Sequence, residues 1–146
     1  MRTVQDILQE KGARVYTIAP NDTVYEALQL MAEKNIGALM VIEGDHVVGL
    51  ISERDYARKI VLKGRFSRDV PVHDIMTAYA DIVRISPDED VEWCMELMTN
   101  KRVRHLPVFE QERLVGIISI GDIVKTIIKH KEEIIAQLEN YIKGRR

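Results

Sequence analysis

Two short phrases in this chain combine the residue types that can hold a sugar phosphate. They are Gly49-Leu-Ile-Ser52-Glu-Arg-Asp55 and Gly116-Ile-Ile-Ser119-Ile-Gly-Asp122: glycine, two apolar residues, serine, two variable residues, aspartate. Serine followed three residues later by an acid is a helix-starting capping arrangement, and glycine relieves crowding in a strand. A purely structural role therefore accounts for either phrase alone. The same geometry also serves a ligand. A helix N-terminus offers N–H groups and the positive end of a dipole to a phosphate, and the serine hydroxyl adds a donor. Aspartate one turn along offers two acceptor oxygens to the paired hydroxyls of a ribose, as acids do in dinucleotide folds. Phosphate donors beside a diol acceptor describe a nucleotide site.

The phrases occur twice because the chain is a tandem duplication. With Pro20 laid over Pro87, an offset of 67 residues, Val15 to Ile60 covers Ile82 to Ile127 without a gap. Leu30-Met31/Leu97-Met98, Val48-Gly49/Val115-Gly116, Ile51-Ser52/Ile118-Ser119 and Asp55/Asp122 recur in register. The lead-ins Val4-Gln-Asp-Ile-Leu8 and Val72-His-Asp-Ile-Met76 match at an offset one residue larger. Such internal repetition marks one structural unit used twice.

The elements that must position the phrases follow from periodicity. Val24, Ala27, Leu28 and Met31 form one apolar helical face, with Thr23 and Glu26 as a capping box; Val91, Cys94, Met95 and Met98 form its twin. Apolar runs at Ala38–Ile42 and Val47–Ile51, joined by the polar turn Glu43 to His46, read as a hairpin of buried strands, repeated at Leu106–Phe109 and Leu114–Ile118. A short strand around Val15 to Ile18 precedes the first helix and a second helix follows Ser52. The expected fold is α/β (α+β), with β-α-β-β-α in each repeat. One such unit has a small core, so the two are expected to pack sheet to sheet about a pseudo-two-fold axis. The boundaries so drawn are repeat 1 at 1–66, repeat 2 at 67–132 and a helical extension at 133–146. Lys63 to Pro71, with turn formers and no periodicity, reads as the linker.

Composition narrows the function classes. The chain has 146 residues, 46% hydrophobic and 30% charged, and no apolar run long enough to span a membrane. A domain of that size buries roughly 68–70% of its unfolded surface. Net charge is −2, so no global attraction to nucleic acid is expected, although Arg54, Arg58, Lys59, Lys63, Arg65 and Arg68 gather locally. Cys94 is the single cysteine and no signal peptide is evident, which fits a reducing cytoplasm.

With the duplicated pattern in place, the phrases have a family context. Together with Val15-Tyr-Thr-Ile-Ala-Pro20, Thr23-Val-Tyr-Glu-Ala-Leu28, Ile36-Gly-Ala-Leu-Met-Val41 and Arg104-His-Leu-Pro-Val108, the sequence resembles the cystathionine-β-synthase (CBS) domain family, as a stand-alone tandem pair or Bateman module. The resemblance covers nearly the whole chain. It implies ligand sites in the clefts between the two repeats for AMP, ADP, ATP or related adenosyl compounds, NAD being an alternative. Carried over by position, one site uses Asp122 on the ribose, Ser119 near phosphate, Ile117 against the base and Arg104. Arg14, Tyr16, Ile36 and Gly37 come to it from the first repeat. The other uses Asp55, Ser52, Leu50 and Arg54, with Gly37, Val83 and Val103 opposite and Arg104 as an additional candidate. The two are unequal, because Arg54 stands where the second copy has Gly121, and Gly37-Ala38 where it has Arg104-His105. Arg54 can grip phosphate oxygens in bidentate fashion or serve as a solvated surface residue.

Other tempting residues point elsewhere. His46, His73, His105, His130 and Cys94 show no metal-ligand spacing, so no metal is expected. Cys94 aligns with Ala27 on an apolar face and reads as a packed thiol. His105 can contact a ligand or sit buried and neutral. Past the repeat, Ile127, Ile128, Ile134, Ile135, Leu138, Tyr141 and Ile142 continue an amphipathic helix, with Lys129/Glu133 and Glu139/Lys143 at i, i+4. It either folds back on its own module or buries itself in a homodimer, which is also common in the resembling family. Neither repeat contains a nucleophile with a base or a Walker-type loop, so no catalytic residue is assigned. The leading expectation is a sensor that transmits adenine-nucleotide occupancy to an unidentified protein. The alternatives are a ligand-independent interaction module and a nucleotide-processing enzyme.

Overall fold

The computed structural model describes residues 2–144; Met1 and the last two residues of the expected extension, Arg145 and Arg146, lie outside the described residues. The chain forms two compact units, and these cut it differently from the repeat boundaries. One unit is residues 14–82; the other joins the N-terminal segment through Ala13 to the chain from Val83 onward. Each repeat's lead-in therefore packs with the other copy.

In the unit of residues 14–82, strands β1 (Thr17–Ile18), β2 (Ala38–Glu43), β3 (His46–Ser52) and β4 (Thr77–Ala78) form one sheet in that order; β1 runs parallel to β2 and the other pairs are antiparallel. Helix α2 (Val24–Lys34) starts at a reciprocal cap: Thr23 Oγ1 accepts the Glu26 N–H at 3.1 Å, and Glu26 Oε1 accepts the Thr23 N–H at 3.2 Å. It stops at Asn35 in the left-handed region. Its Val24, Ala27 and Met31 pack with Leu39, Val41 and Ile51 into one core. Each large aliphatic side chain removed from water this way contributes about 1.5–3 kcal/mol. After Ser52 comes a single α turn, α3 (Glu53–Tyr56), continued by a π turn, Ala57–Val61. The segment expected as a linker is stitched in: Val70 is buried, and its carbonyl accepts the Val24 N–H at 2.9 Å.

The second unit repeats this plan. Helix α1 (Val4–Lys11) supplies the lead-in, α4 (Val91–Lys101) the apolar face, β5 (His105–Glu110) and β6 (Arg113–Ser119) the hairpin, and α5 (Ile120–Ile142) the following helix. Val4, Ile7, Leu8, Val91, Cys94, Met98, Leu106, Val108 and Ile118 share its core. The lead-ins are held by equivalent backbone bonds. Val4 N–H donates to Glu89 O (3.0 Å) as Val72 N–H does to Asp22 O (2.8 Å), and Gln5 N–H to Pro87 O (2.8 Å) as His73 N–H to Pro20 O (3.0 Å). Both hairpins carry their register shift at the same place, after Val41 and Val108.

Three departures from the expected repeat have physical causes or consequences. The strand expected at the start of the second copy shrinks to one bridge, Ile85 to Val108. In the first copy the Met40 N–H donates to Tyr16 O at 3.3 Å; Pro107 occupies the aligned position and has no N–H to give. In the second departure, α1 stays helical through Lys11, where the other lead-in turns into β4. Finally, on α5, which runs unbroken for 23 residues, about 34 Å, as the continued helix expected past the repeat, one suggested side-chain pairing does not form. Lys129 and Glu133 do not pair with each other as their spacing suggests. Lys129 Nζ reaches Glu10 at 2.8 Å and Glu133 takes Arg2 at 3.1 Å, tying α5 to the N-terminal segment.

Candidate functional site

Both Gly-x-x-Ser-x-x-Asp phrases place serine at the N-cap of the helix that follows the hairpin. Ser52 Oγ accepts the Asp55 N–H at 3.3 Å while Asp55 Oδ2 accepts the Ser52 N–H at 2.9 Å and its hydroxyl at 3.1 Å. Ser119 and Asp122 repeat the cap at 3.2 Å and 2.8 Å. The capping role expected of these residues is thus real in both copies. The first amide of each helix is also engaged: Glu53 N–H donates to Gly37 O at 3.0 Å, and Ile120 N–H to Arg104 O at 2.8 Å. Two of the first-turn amides that attract an anion already have partners.

A lysine completes each carboxylate, and the two lysines come from opposite directions. Lys59, one turn along the helix, lies 3.3 Å from Asp55 Oδ1 and donates to Ile75 O at 2.8 Å. Lys11, from α1, lies 2.7 Å from Asp122 Oδ2 and donates to Ile117 O at 3.0 Å. Each lysine joins a lead-in to the helix start it packs on. Burial, the largest single influence on Asp122, pushes its carboxyl up. The Lys11 ammonium and the Ser119 hydrogen bonds outweigh that and hold it below the ordinary carboxylate range. The result is a half-buried, ionised acceptor with a displaceable cation beside it.

The remaining expected residues sort by unit. Around Ser52 and Asp55, Leu50 sits in β3 opposite Met40 and Thr77, Gly37 contributes its carbonyl, and Arg54 is half-buried in the first turn of α3. In the same unit, Ile36 packs on the core, and the Arg14 guanidinium and Lys34 ammonium both lie 5.3 Å from the Tyr16 ring centre. Around Ser119 and Asp122, Ile117 lies opposite Pro107, His105 opposite Ser119, Arg104 is exposed, and Val83 and Val103 pack on the core. Burial, ahead of any charge, lowers the His105 pKa and favours the neutral ring; Asp122 opposes it. Much of the local basic cluster is engaged: Arg65 lies 3.4 Å from Asp74, and Arg68 stacks 4.2 Å from the Tyr25 ring centre.

The glycines that open the phrases act through the lead-ins. A Cβ on Gly116 meets Leu8 Cδ2 at 2.6 Å; one on Gly49 meets the Met76 sulfur and, at 2.8 Å, the Thr77 carbonyl. Leu8 and Met76 are the aligned lead-in residues. Cys94 is buried, and burial pushes its thiol up to about 12, so it is a packed, unreactive group as its alignment with Ala27 suggests. Among the described residues, no group of three or more His, Cys, Asp or Glu side chains is arranged to hold a metal, and no helix is long and apolar enough to cross a membrane.

Sequence reasoning missed Lys11 and the role of Lys59. The i, i+4 spacing of Asp55 and Lys59 is a usable signal; Lys11 is 111 residues from Asp122, and nothing local announces it.

Comparison with known proteins agrees with this architecture. The CBS domain family matches residues 4–62 and again 72–129. The chain is 37% identical, over 97% of its length and 72% of the relative's, to the mitochondrial CBS domain-containing protein CBSX3 of Arabidopsis thaliana. Its structure matches a protein with CBS domains from Burkholderia ambifaria at 49% identity and TM-score 0.84, covering 88% of this chain and 95% of that one. It also matches the CBS domain pair of protein MJ0100 solved in complex with 5-methylthioadenosine and S-adenosyl-L-methionine. That likeness, with TM-score 0.76, 23% identity and coverage of 89% and 98%, is one of fold.

Proposed function

Because the chain belongs to the CBS domain family, as a tandem pair, we propose that it is a non-catalytic regulatory module that binds an adenine nucleotide and passes its occupancy to another protein. The observation that carries this reading is the pair of Ser-x-x-Asp helix starts, each with its carboxylate beside a lysine. A ribose diol can replace the ammonium on Asp55 or Asp122, and the released lysine is then positioned to meet the phosphate. Ser119, Ile117 and Arg104 serve the Asp122 ligand and Ser52, Leu50 and Arg54 the Asp55 ligand, with Arg14, Tyr16, Ile36, Gly37, Val83 and Val103 as the further contacts carried over from the family. AMP, ADP, ATP and NAD are the first ligands to try; the same-fold pair holding adenosyl compounds supports that class. The module works as a homodimer in the cytoplasm, where its single cysteine stays reduced.

A second reading is favoured by one observation: both carboxylates and two amides at each helix start already have protein partners. On that reading the chain is an interaction module without a ligand. A panel of AMP, ADP, ATP, NAD and S-adenosylmethionine in thermal-shift and calorimetric titrations separates the two. A binder at 100 times its dissociation constant gains about 2.7 kcal/mol of stability. Asp122→Asn and Asp55→Asn are each expected to remove one binding event and spare the other. No shift from any compound overturns the nucleotide reading, and equal loss of both events from either variant overturns the site assignment.

A further inference from the structure

We propose that the exposed half of α5 is an antiparallel pairing surface for α5 of a second copy. The inference rests on the homodimer reading above and adds to it an interface and an orientation. Along α5 one face belongs to its own unit, where Ile123 and Thr126 are buried. Another face leaves the unit. Val124, Ile128, Lys131, Ile135, Leu138 and Ile142 are spaced by alternating fours and threes, the pattern that keeps one seam facing a partner helix as two helices supercoil. Ile128, Ile135, Leu138 and Ile142 are 51%, 55%, 56% and 80% exposed. An apolar seam of this regularity, left in water over the last turns of a helix, is the surface of an association.

Charge fixes both occupant and direction. A parallel pair of copies sets Lys131 against Lys131 in the middle of the apolar seam, where two ammonium groups repel in a dehydrated contact. The antiparallel pair sets Lys131 against Ile135, Ile128 against Leu138 and Val124 against Ile142. The Lys131 stem lies on the apolar partner and its head leaves the seam. On the flank of the same pair, Lys125 of each copy comes beside Glu139 of the other. The two Glu132 side chains meet at the axis, next to the two Lys131 heads that neutralise them. The helix is thus self-complementary in one direction only, as a two-fold interface requires.

Sedimentation and cysteine pairing on the full chain test this. The unaltered chain is expected to sediment at twice its mass, and Leu138→Asp, which alters an exposed position and should leave far-UV circular dichroism unchanged, to raise the dimer dissociation constant about a hundredfold. Ile128→Cys and Leu138→Cys are then oxidised alone and mixed. In the antiparallel pair each position lies about 15 Å along the axis from its own counterpart, so neither variant cross-links alone and the mixture does. Cys94, buried and unreactive, stays out of the reaction. A monomeric chain overturns the homodimer reading itself. A dimer that Leu138→Asp leaves intact overturns this interface while sparing that reading, and self-cross-linking by Ile128→Cys overturns the orientation.

Discussion

At Asp122 two opposing forces act on one carboxyl group, and Lys11 decides between them. Burial favours the neutral acid; the ammonium 2.7 Å away and the Ser119 hydrogen bonds favour the ion and prevail. The folded pKa therefore lies below the unfolded one, so the stability this group contributes is present above the unfolded value, near 3.9, and is lost as pH falls through the folded value. Lys11→Met removes the chief opponent of burial. Asp122 is expected to titrate at higher pH in that variant, and acid unfolding of the second repeat to begin at higher pH; the carboxyl carbon shift of Asp122 followed by NMR reads it directly. An Asp122 titration unmoved by Lys11→Met means that the ion pair does not set the carboxylate's charge. At this scale the serines and aspartates were legible because a cap is a local device, complete within four residues. Lys11 was not, since its partner is set by how α1 packs, and the only trace of that packing is the lead-in's offset of 68 residues in place of 67.

Among the elements, each hairpin has one place where no side chain fits, and the neighbour there differs. At Gly116 the obstacle is the end of the Leu8 side chain, which can shift by a rotamer; at Gly49 it includes the Thr77 carbonyl, whose strand β4 is paired to β3 at Gly49 and Leu50. Overpacking of a core typically costs about 1–3 kcal/mol. Gly49→Ala is therefore expected near the top of that range and Gly116→Ala near the bottom, in urea unfolding of otherwise identical proteins. Equal losses would mean that β4 yields as readily as a leucine side chain. The periodicity of α2, α4 and the hairpins was readable because burial of one face imposes it. The shortened strand at Ile85 was not anticipated, although Pro107, lacking the N–H that Met40 donates, was visible throughout. Its meaning depended on knowing which strand lay beside it.

For the molecule as a whole, the decisive fact is that the first residues of the chain complete the core of the last repeat. Val4, Ile7 and Leu8 are buried among Val91, Leu106, Val108 and Ile118, and the unit of residues 14–82 is completed in turn by the second copy's lead-in, with Val72 and Ile75 in its core. Removing residues 1–12 strips three aliphatic side chains from one core, about 1.5–3 kcal/mol each, against a total of about 5–15 kcal/mol for a whole domain. It also removes Lys11 from Asp122, Glu10 from Lys129 and Arg2 from Glu133. The truncated chain is expected to lose amide protection in β5 and β6, nearly 100 residues away in sequence from the cut. The amides of β2 and β3, the hairpin nearer the cut in sequence, are expected to retain theirs. A peptide of residues 1–13 added back should restore β5 and β6 in proportion to its concentration. Protection lost first from β2 and β3 would show that stability follows the sequence repeats and not the exchanged units, and loss from both hairpins alike would show that the chain opens as one cooperative unit.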